Sequence, residues 1–368
     1  MPYLILLLFL ALGGCCTIPK PPSPPVPKAV GWGELPGWKT GNVMPAWEAF
    51  RKNCAVLKNR PSWISVCDAA ASLQNPDAAQ AKSFFEQHFQ PYRLANADGS
   101  DKGLITGYFE PIIRGSTKPS SRYRYPVYGV PGDLISVDLG ELYPQLKHMR
   151  LRGRLEGQKL VPYYSRKQID GESSPLKGDE ILWADDAIDL FFLQIQGSGK
   201  VALDNGETVR IGYADQNGYP YQSIGRILVE RGEIPLEKAS MAGIKDWARN
   251  HPEKLEELLD NNPSYIFFRF LPNTLPDPPG ALGIPLTPGR SIAVDARVIP
   301  LGAPVYLSTT WPDSEKPLNR LMLAQDTGGA IKGEVRADVY WGSGRAAGEL
   351  AGKTRQRGRL WILLPVKH

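Results

Sequence analysis

"GLITGYFEP", Gly103–Pro111, is the stretch on which the fold turns. Its β-branched and aromatic residues read as a strand that stops at Pro111. The chain before it reads as helical. Residues 44–58 put Trp47, Phe50, Cys54 and Leu57 on one helical face. "NPDAAQAKSFFEQHFQP" supplies Asn75 as an N-cap and Pro76 at the first helical position. Beyond Pro111 the character changes. From about Ile112 to Arg226 the chain reads as short strands, tight turns and tyrosines. Helices return in "YQSIGRILVERGEI", "SMAGIKDWARNH" and "PEKLEELLDNNP". After Pro263 the pattern is all strand, from "SYIFFRFL" to "GRLWILLPV". That last third predicts a compact β-barrel of short strands with Gly/Pro turns. If "GLITGYFEP" joins this barrel from far upstream, the middle region is an insertion. The expected fold is mainly β: a barrel built from both ends of the chain, flanking helices, an inserted second β-rich domain and a groove between them.

The N-terminus reads as an export signal. "MPYLILLLFLALGGCC" has an apolar run from Tyr3 to Leu12, two glycines and a cysteine. The run has the length of a secretory core and is too short to span a bilayer. Leu12-Gly13-Gly14-Cys15 looks like a bacterial lipobox, which makes Cys15 the lipidated residue. No Lys or Arg precedes the run, a departure from the usual positive start. An ordinary cleaved signal is the other reading. Six prolines between Pro19 and Pro27 follow. Such a run favours an extended polyproline conformation, at about 3.1 Å per residue, and serves as a stiff tether.

A net charge of +5 is too weak to argue for nucleic acid, and no basic run supports it. Cys54 and Cys67 form an even pair in an exported chain, so a disulfide between two helices is expected. The four histidines (His88, His148, His251, His368) are scattered away from the acidic C-terminal third. Neither a His-based triad nor a His-ligated metal site is expected, and no cofactor is implied.

Three aspartates end strands in that third: Asp295 in "SIAVDARVIPLG", Asp326 in "LMLAQDTGG" and Asp338 in "RADVYWGSG". Acidic residues at strand ends are often plain turn formers. Three in one small barrel point to acid/base work, and carboxylates are what glycosidic cleavage uses. "QDTGG" also holds the Asp-Thr-Gly of aspartic proteases. Those need two such loops sharing one proton, and this chain has one copy. The middle region, with "LVPYYSR" and "GYADQNGYPYQSIGR", has the aromatics and amides of a sugar-binding groove, or simply those of a β domain with surface tyrosines.

Together "TGYFEP" (Thr106–Pro111), "YPVYG" (Tyr125–Gly129), "FFLQIQGSG" (Phe191–Gly199), "GYADQNGYPYQSIGR" (Gly212–Arg226), "NPSYIFF" (Asn262–Phe268) and "GIPLTPGRSIAVDARVIPLG" (Gly283–Gly302) resemble the membrane-bound lytic murein transglycosylase A family. The resemblance covers nearly everything from about residue 100 to 365. It implies a double-psi β-barrel with an inserted domain, and an exo-acting lyase on peptidoglycan. The bond cut would be the β-1,4 link between N-acetylmuramic acid and N-acetylglucosamine, leaving 1,6-anhydro ends. It places the acid/base on Asp338, with Asp326 and Asp295 as supporting carboxylates. Groove candidates by motif match are Thr106, Tyr108, Gln196, Ser198, Tyr213 and Asn217. The implied units are a signal (1–14), a lipidated tether (15–34), helices and first barrel strands (35–111), the insert (112–260) and the C-terminal barrel (261–368). Implied partners are glycan strands, the membrane through the lipid anchor, and cell-wall synthesis proteins, around a monomer. The implied place is the periplasmic face of a Gram-negative outer membrane. Two other classes remain open: a non-catalytic wall-binding lipoprotein and a water-using β-glycosidase on a related barrel.

Overall fold

The computed structural model describes residues 26–366, apart from 147, 148 and 150. The signal, the lipobox Cys15 and most of the proline tether lie outside them. A short strand β1 (Lys28–Ala29) precedes α1 (Met44–Leu57), which buries Trp47, Phe50 and Leu57. α2 (Ile64–Ser72) follows, and a Cys54–Cys67 disulfide ties the two helices with Cα atoms 5.4 Å apart. α3 spans Ala78–His88. Its N-cap is Asp77 rather than Asn75. Asp77 accepts from Gln80 N at 2.8 Å and donates its own N–H to Gln80 Oε1 at 2.9 Å, a reciprocal capping box. Asn75 instead turns the chain at φ +44°.

β2 (Phe89–Arg93) and β3 (Gly103–Glu110) come next. Pro111 separates β3 from β4 (Ile112–Ser116), and at that proline the chain changes sheet. The inserted unit then adds β5 (Tyr125–Tyr128), β6 (Ile135–Val137), β7 (Leu151–Glu156), β8 (Lys159–Pro162), α4 (Arg166–Asp170) and β9 (Glu180–Ala184). It continues with α5 (Ala187–Gln196), β10 (Ser198–Leu203), β11 (Thr208–Gln216), α6 (Ile224–Glu230), α7 (Met241–Asn250), α8 (Leu255–Asp260) and β12 (Ile266–Leu271). Its main sheet runs β12-β11-β10-β4-β9-β5, with a small β6-β7-β8 sheet beside it. The chain returns through β13 (Ser291–Val294), β14 (Pro304–Thr310), β15 (Pro317–Asp326), β16 (Ala337–Ser343), α9 (Gly344–Lys353) and β17 (Arg355–Pro365).

These last strands close on themselves. The order β17-β14-β15-β13-β16-β3 is completed by pairing of β3 back to β17, while β2 and β1 extend outward from β17. The upstream strand does join the C-terminal barrel. The N-terminal helices share its core: Trp47, Phe50, Phe85 and Phe89 pack in one cluster with Ile105, Val339 and Leu363. Each such fully buried side chain contributes roughly 1.5–3 kcal/mol.

Besides the Asn75 cap, three more sequence expectations are corrected. "SYIFFRFL" is not a barrel strand. As β12 it pairs with β11, Arg269 opposite Gly212, so the inserted sheet extends past residue 260. "AIDLFFLQIQ" is a helix, α5. Asp186 caps it by accepting from Asp189 N, and Gly197 ends it at φ +80°. It is buried nearly all round, which removes the periodic signal. The all-strand last third contains α9, whose small face (Ala347, Ala351) lies over β3 and β16.

The junction between the two units is pinned at one point. Glu110 ends β3 and is completely buried. Its carboxylate pairs with Arg210 Nε of β11 at 2.7 Å and accepts from Ser343 Oγ of β16. Arg210 also donates to the carbonyls of Leu275 and Pro276 in the returning segment. Both crossings are therefore tied to one ion pair, and breaking such a buried pair typically costs ~3–5 kcal/mol.

Candidate active site

β13 lies between β15 and β16, and its Ala293 faces Asp326 on one side and Asp338 on the other. Neighbouring strands are about 4.8 Å apart, so the two aspartate Cα atoms stand on the order of 10 Å from each other. β16 also pairs in parallel with β3, Asp338 opposite Thr106 and Tyr340 opposite Tyr108. Alternation puts Asp338 and Tyr340 on one face, with Thr106 and Tyr108 beside them. The tyrosine rings meet at 5.3 Å between centroids.

The hydrogen bonds follow that ladder. Thr106 Oγ1 donates to Asp338 Oδ1 at 2.6 Å. Tyr108 OH donates to Asp326 Oδ2 at 2.8 Å, while Ala281 N and Thr327 N each donate to Asp326 Oδ1 at 2.9 Å. Three donors on one carboxyl suit its charged form. Asp338 is placed differently. Loss of solvent around its carboxyl is the largest effect and raises its pKa. The Thr106 hydrogen bond and the Arg336 charge pull the other way, the Asp326 charge pushes it up again, and it settles at about 6. A carboxyl so placed is part-protonated near neutral pH and can both give and take a proton. Tyr108 is driven well above its usual range, by burial first and then by the Asp326 charge, so it stays a donor.

Asp295 is occupied elsewhere. It accepts from Arg297 Nε at 2.9 Å, Arg297 Nη2 at 2.6 Å and Gly333 N at 3.0 Å. Burial alone would raise its pKa, but these bonds outweigh it and hold the group at about 2. It is a fixed charge that anchors the segment between β15 and β16.

A groove of about 1330 Å³ runs between the inserted unit and the barrel. Gln196, Ser198 and Tyr213 line it from the insert, and Asp326, Thr327 and Lys332 from the barrel. Half-buried Asp338 stands two strands from Asp326, and Thr106 and Tyr108 hold the two carboxyls rather than wall the groove. Gln196 has already spent its carbonyl on Phe109 N, at 3.0 Å. Asn217 is corrected as a groove candidate. It is buried, its amide donates to Tyr164 O and Pro263 O at 2.8 Å each, and its carbonyl accepts from Tyr265 N. It pins loops together. Several participants were not picked out individually as site residues above. Tyr340 supports Tyr108 and donates to Asp277 Oδ1 at 2.9 Å. Tyr219 and Tyr221 add aromatic groove wall. Arg269 and Lys332 put one exposed cation on each wall and make no ion pair among the described residues.

Two family models match the chain. The MltA specific insert domain covers residues 104–269 and the 3D domain covers residues 290–364. A membrane-bound lytic murein transglycosylase A of Vibrio cholerae is 34% identical over 301 residues, 79% of this chain and 72% of the relative. The crystal structure of MltA from Neisseria gonorrhoeae superposes with a TM-score of 0.78 at 41% identity, over 94% of this chain and 97% of that one. E. coli MltA with bound chitohexaose gives a TM-score of 0.71 at 25% identity, over 94% and 96%.

Proposed function

Because this chain belongs to the membrane-bound lytic murein transglycosylase A family, we propose that it cuts peptidoglycan with Asp338 as its single acid/base. The protein is a lytic transglycosylase, a lyase of the cell-wall polymer. In the proposed reaction the Asp338 carboxyl protonates the bridging oxygen between N-acetylmuramic acid and N-acetylglucosamine as the C1–O bond breaks. The C6 hydroxyl of the same muramic acid then bonds to C1, and the Asp338 carboxylate takes its proton. The proton count closes on one residue, and no water is consumed. A hydrolase needs a second carboxylate for water or for covalent attack. An internal nucleophile removes that need and brings a high effective molarity.

The observation that carries this reading is the pairing of Asp338, held by Thr106 at 2.6 Å, with Asp326 across Ala293. Burial does most to keep Asp338 protonated, the Asp326 charge adds to that, and Tyr108 orients Asp326. Asp295 serves by anchoring the segment that carries Lys332. Gln196, Ser198 and Tyr213 line the groove, and their proposed role is to contact the glycan there; the E. coli relative has been solved with chitohexaose bound. The closed six-strand ring supports a double-psi β-barrel, with the insert proposed as 112–271. Lipidation at Cys15 would tether the enzyme at the periplasmic face of the outer membrane; no helix among the described residues is long and apolar enough to cross a membrane.

The test is a digest of murein sacculi read by mass. Wild type yields 1,6-anhydromuropeptides, and Asp338→Asn loses at least ~100-fold of that activity while staying folded. Reducing-end muramic acid as the sole product, or an undiminished Asp338→Asn, would overturn the assignment.

A further inference from the structure

β15 carries one residue more than its neighbour needs. In the β13–β15 ladder Ser291 faces Leu323 and Ile292 faces Ala324, but Ala293 faces Asp326. Gln325 is the surplus residue of a β-bulge. Alternation gives the consequence. Ile292, Ala324 and Val339 pack into the large core, while Ala293 packs on the opposite side with Tyr108, Leu286 and Tyr340. In an unbroken strand, residues 324 and 326 would point the same way. The Asp326 carboxylate would then enter the apolar core. The bulge sends it instead to the face of Ala293, where Asp338 stands.

The bulge is held by side chains. Gln325 is fully buried; its Nε2 donates to Asn53 Oδ1 at 2.6 Å and its Oε1 accepts from Ser291 Oγ. Asn53 and Ser291 are fully buried as well. Asn53 donates to Gly302 O at 2.9 Å, and Ser291 Oγ accepts from Thr287 N at 2.6 Å. Buried polar groups in apolar surroundings are expensive unless each is satisfied. A one-residue slip of β15 would pull Gln325 away from Asn53 and Ser291, and from Ala49 O, to which its Nε2 also donates at 3.5 Å.

We propose that Gln325 is a positioning residue for the transglycosylase reaction: its side-chain amide, clamped between Asn53 and Ser291, locks the bulge that keeps the Asp326 carboxylate beside Asp338. The inference rests on the carboxylate pair proposed above. Gln325 touches no substrate and acts through Asp326. Asn53 belongs to α1, next to the disulfide-bonded Cys54. The N-terminal helices thereby help set the catalytic face.

Two variants test it. Gln325→Met keeps the side-chain length and removes the amide's hydrogen bonds to Asn53, Ala49 and Ser291, and Ser291→Ala removes one of them. A crystal structure of Gln325→Met is expected to show the bulge lost or shifted and the Tyr108–Asp326 contact broken. On murein between pH 4.5 and 8, kcat at pH 7 is expected to fall roughly three- to tenfold with KM unchanged. The high-pH limb should move to lower pH, as in Asp326→Asn. Combining Gln325→Met with Asp326→Asn should add nothing, because both act on one coupling. Ser291→Ala should move both readouts the same way by less. An intact bulge with wild-type kcat and an unmoved limb in Gln325→Met would overturn the proposal, whatever happens to Tm. If that variant does not fold, a wild-type rate and limb in Ser291→Ala overturns it. An unmoved limb in Asp326→Asn itself would instead defeat the carboxylate-pair reading, and the crystal structure would still decide the bulge.

Discussion

Replacing Asp326 by Asn removes one negative charge and preserves the shape of the side chain. In the wild type, two strand spacings separate the paired aspartates across Ala293. At a separation on the order of 10 Å and an effective dielectric of about 20–40, their repulsion is ~0.8–1.7 kcal/mol. Losing it lowers the ratio of protonated to ionised Asp338 roughly four- to eighteenfold at a given pH. The protonated form of Asp338 is full well below pH 6 and is lost as pH rises through about 6. The falling limb of kcat/KM should therefore move to lower pH in the variant. At pH 7 the rate should drop by nearly that whole factor. Near pH 4.5 the two enzymes should agree to within about twofold, because Asp338 is then mostly protonated in both. The assay is the initial rate of 1,6-anhydro product release from murein between pH 4.5 and 8. A loss of more than ~100-fold at every pH, with the limb unmoved, would refute the reasoning. Asp326 would then be acting on the charge of the transition state itself.

The remaining predictions use other parts of the molecule. The unfolded carboxyl of Asp338 titrates near 3.8 and the folded one near 6, so the folded state binds more protons between those values and loses stability as pH rises. Asp338→Asn should therefore be more stable than wild type at pH 7, by ~1–3 kcal/mol in thermal denaturation, with the gain gone at pH 3. Arg269→Ala combined with Lys332→Ala should raise KM for peptide-bearing glycan strands roughly two- to tenfold, more at low salt, and leave chitohexaose binding to the Asp338→Asn protein unchanged. Equal effects on both ligands would show that these cations do not select carboxylates. Asn217→Ala should cost ~1–3 kcal/mol of stability in denaturant unfolding without changing KM. A raised KM at temperatures where it is folded would return Asn217 to the groove.

Local chemistry made much of this architecture legible. "GLITGYFEP" carries its own strand signal and its own stop. The last third alternates apolar strands with Gly/Pro turns, and together these two signals mark a barrel closed by an upstream strand. The errors share a cause: the deciding partner lies far along the chain. β12 looks like its C-terminal neighbours, and only its pairing with β11 assigns it to the insert. α5 has no polar face because it is buried nearly all round. Asn217 looks like a ligand because it is polar among tyrosines, yet its partners are backbone groups. The aspartates could be picked as a set, but not the face each one takes. That depends on a bulge at Gln325, whose anchor Asn53 is 272 positions away.

Thr106 and Asp338 are 232 positions apart, Tyr108 and Asp326 are 218 apart, and the whole inserted unit lies between them. β17, the last described strand, closes the ring by pairing with both β14 and β3. Contacts this distant form late, because the entropy of closing the long loop must be met before they can stabilise anything. The two carboxylates can meet locally across β13, but the Thr106 and Tyr108 contacts that hold them wait for β3 to join the ring. The ring therefore stays open until β17 pairs with β14 and β3, so the last described strand decides when the barrel is complete.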